Sequence, residues 1–109
     1  MAIPAEKRKY SFSDYLSWDE SDRVELLDGE LIMMAPPARI HQEISVELMR
    51  QLANFLEGKR CRVYHAPFAV RLFEQDGDTP EDVKTVVEPD ISVVCDPGKL
   101  DGRGCKGAP

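Results

Sequence analysis

The chain has 109 residues, 42% of them apolar and 31% charged, with a formal net charge of −6. That size allows one domain, residues 1–109, with an ordinary globular composition and no run near the roughly 18 apolar residues of a membrane span. No apolar signal-peptide core follows the N-terminal charges, so a cytoplasmic location without a membrane partner is expected. The acidic balance argues against broad attraction to nucleic acid, but not against nucleic acid as a substrate approached through bound cations and a local basic patch.

Residues 1–11 are expected to form a flexible leader. Ser11 or Ser13 is placed to cap a short helix through Asp14-Tyr15-Leu16, closed by Trp18. Asp19 to Asp22 reads as a solvated connector. Val24 to Leu27 and Glu30 to Met34 are apolar runs around Asp28-Gly29, a strong hairpin signal because both turn positions need positive φ. A two-residue turn pairs Leu27 with Glu30 and sets Glu25 opposite Ile32.

From about Ala38 to Glu57 the pattern is helical, with Gly58 as a stop. Ile40, Ile44, Leu48, Leu52, Phe55 and Leu56 share one stripe, and His41 projects into the middle of it, so this face is expected to be buried. Strands are predicted over Cys61–Tyr64 and Pro67–Phe73, the latter with Phe68, Val70 and Leu72 on one side. Glu74 to Lys84 is acidic and carries Gly77 and Thr79-Pro80, which suggests a mobile loop. Val86-Val87 leads through Glu88-Pro89 into a further strand, Asp90 to Cys95. Residues 99–109 hold three glycines and show no assignable pattern, an irregular tail that looks like a connection. The fold is therefore expected to continue past Pro109 or to be completed by another chain. Cys61, Cys95 and Cys105 are widely spaced and signal neither a disulfide framework nor a zinc site, and Cys95 is most simply a small buried apolar residue.

Asp90 is the leading candidate for chemistry. A carboxylate opening an apolar strand loses solvation unless it meets a partner or a metal. Glu88 lies two residues before it, so an extended segment points both acids to one side, a pairing suited to magnesium or manganese. The alternative is that Asp90 caps a turn after Pro89 and stays wet. Glu25 either points across the hairpin toward a site or lies on a wet strand face. His41 is either a hydrogen-bonded core residue or a site imidazole kept neutral by its place in the first helical turn. Arg60, Arg62 and Arg71 give a modest basic strip, or simply lie on wet strand faces.

The ordered set Glu25-Leu26-Leu27-Asp28-Gly29-Glu30, Pro36-Pro37, His41 at a helix start and Pro89-Asp90-Ile91-Ser92-Val93-Val94 resembles the Uma-type family of bacterial restriction endonucleases, in the PD-(D/E)XK nuclease superfamily. The similarity runs from about Phe12 to the C-terminus. It implies an α/β (α+β) fold, a mixed β-sheet flanked by helices, and magnesium- or manganese-dependent hydrolysis of DNA phosphodiesters. It also implies Asp90 as central metal ligand, Glu25 as an upstream acid on metal or water, and His41 as an accessory catalytic residue. The family's second acidic ligand and its lysine have no counterpart here, and Lys99 and Lys106 do not take that role. Poor cleavage by the chain as written is expected. The competing expectation is a non-catalytic, self-associating module, a homodimer built through an exposed sheet edge.

Overall fold

In the computed structural model, residues 9–18 and 23–109 are described, so the acidic connector and most of the leader lie outside the described residues. The elements in chain order are α1 (Phe12–Ser17), β1 (Val24–Leu27), β2 (Glu30–Met33), α2 (Arg39–Leu56), β3 (Arg62–His65), β4 (Val70–Arg71), β5 (Val86–Val87), β6 (Ile91–Val94), β7 (Leu100–Asp101) and β8 (Gly104–Lys106). Single 3₁₀ turns at Pro80–Asp82 and Pro97–Lys99 separate the later strands. Among the described residues, six strands make a mixed sheet in the order β2-β1-β5-β4-β8-β7, with β3 and β6 as a separate antiparallel pair. The β4–β8 pairing is parallel and the others are antiparallel. The architecture is α+β, as expected.

Local sequence explains the first half. Asp28 and Gly29 both take positive φ, 49° and 82°, which gives a two-residue turn matched to the strand twist. The register then follows, with Leu27 opposite Glu30 and Glu25 opposite Ile32. Ser11 caps α1: its N–H donates to Asp14 Oδ2 at 2.9 Å, and its carbonyl accepts from Tyr15 N at 3.0 Å. Tyr10 N–H bonds Gly29 O, Phe12 N–H bonds Val83 O, and Gly29 N–H bonds Lys84 O, each at 2.8 Å. The hairpin tip, the start of α1 and the end of the acidic loop are thereby stapled together. Val24, Leu26 and Val86 from this sheet bury against Tyr10, Phe12 and Trp18. A second cluster joins Val70, Val94 and Cys105, with Tyr64, Phe68 and Leu72 against it.

Tyr10 and Ser11, expected in a flexible leader, are buried, and four further departures from the sequence reading concern the scaffold. First, no residue of α2 is buried, and Ile40, Ile44, Leu48 and Phe55 are about half or more exposed. Ser45, Met49, Leu52 and Leu56 turn partly inward instead. An 18-residue helix is about 27 Å long, whereas four-residue β3 and β6 make a ribbon only about 13 Å long, so it can cover about half of the helix's length and one side of it. The radius of gyration of 14.9 Å exceeds the ~13 Å of a rounded chain of this length, which fits an open layer. Second, the glycine-containing tail forms the β7–β8 hairpin, with Asp101 opposite Gly104. Third, Arg71 is buried rather than on a wet face, and its guanidinium pairs with Glu74 and Asp101.

The fourth concerns the cysteines. Cys61 and Cys95 form a disulfide, and Cys95 is exposed. The register explains it: Arg62 opposes Val94, so the next cross-strand pair is Cys61 with Cys95, their Cα atoms 4.0 Å apart. The buried cysteine is Cys105, and removal from water raises its thiol pKa.

Candidate active site

The C-terminal end of β3, the residue before β6 and the first turns of α2 converge on a cleft of about 580 Å³. His41, Asp90, His65 and Arg23 all line it. His41 Nε2 lies 2.9 Å from Asp90 Oδ2. For Asp90 the structure shows the wet alternative, a carboxylate at a bend after Pro89; for His41 it corrects the expected burial within the apolar stripe. The Asp90 side chain is 62% exposed and that of His41 44%. Asp90 lies at a bend one residue before β6, and its carbonyl accepts from Ala66 N–H at 3.1 Å. The backbone thus joins the ribbon while the carboxylate stays at its rim. His41 leans toward Asp90 because α2 presents its Ser45 and Met49 side to the cleft, not its Ile40 and Ile44 side.

The buried carboxylate is Glu88, 5% exposed. It does not share a face with Asp90. Its Oε1 accepts from Arg23 Nε at 2.7 Å, and its Oε2 accepts the Tyr15 hydroxyl. Burial pushes the Tyr15 phenol above its ordinary range, and the bond to Glu88 adds to the effect. Tyr15 is therefore a neutral donor at any pH near neutrality. Glu25 completes the cluster by accepting the Glu88 backbone N–H at 2.8 Å. It meets the site through that amide, two residues before Asp90, and so holds the chain that carries the aspartate.

Magnitudes separate the two charged pairs. A pair as open as His41–Asp90 contributes less than about 1 kcal/mol to stability. Glu88 is desolvated and held at three points, so its network is structural in weight. The His41–Asp90 contact is thus an open pair at the cleft rim, contributing little to the fold's stability. With Nε2–H donated to Asp90, a neutral imidazole carries its lone pair on Nδ1.

Arg23, Tyr15 and His65 were missed by sequence reasoning. Arg23 follows an acidic run and resembles any solvated counterion; only the fold brings it to Glu88, 65 residues away. His65 Nδ1 lies 2.7 Å from Ala66 O, a contact that leaves Nε2 as the other ring atom. The lone signal was its position just before Ala66-Pro67.

A divalent cation is implied by the resemblance, but the described residues do not supply a site for one. No three of their His, Cys, Asp and Glu side chains are grouped to hold a metal. Asp90 spends one oxygen on His41 and Glu25 spends one on an amide, and magnesium held by so few ligands would keep most of its water. Among the described residues, no helix is long and apolar enough to cross a membrane.

Comparison with known proteins gives one family. Residues 12–109 match the Uma2 family model, described as "Putative restriction endonuclease". No curated protein matches the chain.

Proposed function

This chain belongs to the Uma2 family of restriction-endonuclease type, and on that footing we propose that its cleft at Asp90 and His41 hydrolyses phosphodiester bonds of DNA. The observation that carries the reading is the His41–Asp90 contact at 2.9 Å in an open cleft. Asp90 orients the imidazole through Nε2–H. Nδ1 then takes a proton from water as the water oxygen bonds to phosphorus and the P–O bond to the leaving strand breaks, and the departing sugar oxygen takes its proton from solvent water. Glu25 is a positioning residue in this arrangement, holding the Glu88 amide and through it the Asp90 segment.

The family's divalent ion, magnesium or manganese, would neutralise charge on the phosphate and activate water. The present donors do not assemble around such an ion, and we therefore expect weak metal affinity and slow cleavage by this chain. The test is nicking of supercoiled plasmid with magnesium or manganese, alongside calorimetric metal titration. Asp90→Ala and His41→Ala are each expected to abolish nicking; nicking at the parental rate by Asp90→Ala overturns the reading.

A second reading is favoured by one observation, the exposed Ile40, Ile44, Leu48 and Phe55 of α2. Apolar patches of that kind mark association surfaces. On this reading the chain is a non-catalytic module that forms homodimers. Sedimentation equilibrium separates the two, since a monomer that nicks DNA removes the second reading.

A further inference from the structure

Arg23 shares the cleft with Asp90 and His41, and the chain has gone to some length to aim it. Its Nε is held by Glu88, and its Nη2 rests on Met34 Sδ at 3.9 Å. Behind it, Glu88 is fixed by the Tyr15 hydroxyl from α1 and by Glu25 from β1. The guanidinium side chain is 30% exposed while its carboxylate partner is 5% exposed. An arginine has five N–H donors, and this arrangement commits Nε inward while the side chain borders the cleft.

Charge supplies the second argument. In a chain of net charge −6, a phosphodiester brought beside the Asp90 carboxylate meets repulsion at the place where it must bind. Glu88 already balances the guanidinium's charge, so relief of that repulsion comes from directed donors: the planar Nη fork matches the spacing of two phosphate oxygens in a way an ammonium does not. We propose that Arg23 is the substrate-phosphate contact of this cleft, donating from its Nη edge to non-bridging oxygens of a DNA phosphodiester. Tyr15 and Glu88 are positioning residues that set the direction of the guanidinium. This rests on reading the cleft as a phosphodiester site.

The test is fluorescence anisotropy of a short labelled duplex with the full chain, in EDTA so that no strand is cut, across a series of potassium chloride concentrations. Arg23→Ala is expected to weaken binding about tenfold and to lower the slope of log K against log salt by about one. Arg23→Lys keeps the charge, so its slope should stay parental while affinity falls several-fold. Tyr15→Phe should weaken binding about two- to fivefold, again at the parental slope. Arg50→Ala, an exposed arginine of α2 paired with Glu47, removes the same charge away from the cleft and is the control. Melting curves confirm folding, and Arg23→Lys carries the test if Arg23→Ala does not fold. Affinity and slope of Arg23→Ala equal to those of Arg50→Ala, or parental affinity in Arg23→Lys, overturn the inference and leave the site reading standing. Failure of the parental protein to bind duplex at any salt overturns both.

Discussion

Glu88→Ala is the sharpest probe of the buried network. The substitution removes the acceptor of a 2.7 Å bond from Arg23 and the acceptor of the Tyr15 hydroxyl. The charged bond contributes about 1.5–3 kcal/mol and the phenol about 1 kcal/mol. Stranding a fully buried arginine would cost about 3–5 kcal/mol, but Arg23 is 30% exposed and water recovers part of that. The expected loss is therefore about 3 kcal/mol, while Glu88→Gln, which keeps an acceptor for Tyr15, should lose about 1–2 kcal/mol. Urea unfolding followed by fluorescence of Trp18, the chain's one tryptophan and a buried one, reads both values at constant m. A midpoint for Glu88→Ala within about 0.5 kcal/mol of the parent, the range of ordinary surface changes, would refute the reasoning.

Reducing Cys61–Cys95 reopens a 34-residue separation, and loop-closure entropy sets that at about 4 kcal/mol; urea midpoints with and without dithiothreitol measure it, and a denatured-state thiol assay should rise from one to three on reduction. Gly104→Ala should cost about 3 kcal/mol or more. At φ 126° the added Cβ would lie 2.1 Å from the Ala69 carbonyl oxygen, which accepts the Cys105 amide, so β8 must leave β4; a parental melting temperature would refute this. Asp101 is partly buried, which opposes ionisation, yet bonds from Arg71 and from the Arg103 amide hold its carboxyl below the usual carboxylate range. Its contribution is present above the unfolded value of about 4 and disappears as pH falls through the lower folded value. Asp101→Asn should therefore flatten the acid limb of stability against pH, and an unchanged limb in urea midpoints between pH 6 and pH 3 would count against the assignment.

What the sequence determined by itself was local. Asp28-Gly29 demanded a tight hairpin because both positions need positive φ, and that demand set the Glu25–Ile32 register without help from the rest of the chain. The span of α2 was legible for the same reason: apolar periodicity and a following glycine act within a few residues. The family resemblance was legible in the order of short motifs, and the match over residues 12–109 agrees with it.

Tertiary structure decided everything that depends on which strand lies beside which. Glu88 and Asp90, two residues apart, part company because Tyr15 of α1 and Arg23 just before β1 supply partners for one and α2 supplies the partner for the other. Arg23 enters the site only through a contact spanning 65 residues. Cys61 meets Cys95 because pairing of β3 with β6 runs one step further, and α2 keeps Ile40 and Ile44 in water because that ribbon is shorter than the helix it supports and lies on one side of it. Propensity and turn chemistry act over a single turn, whereas desolvation of a charge depends on neighbours that the linear order does not disclose.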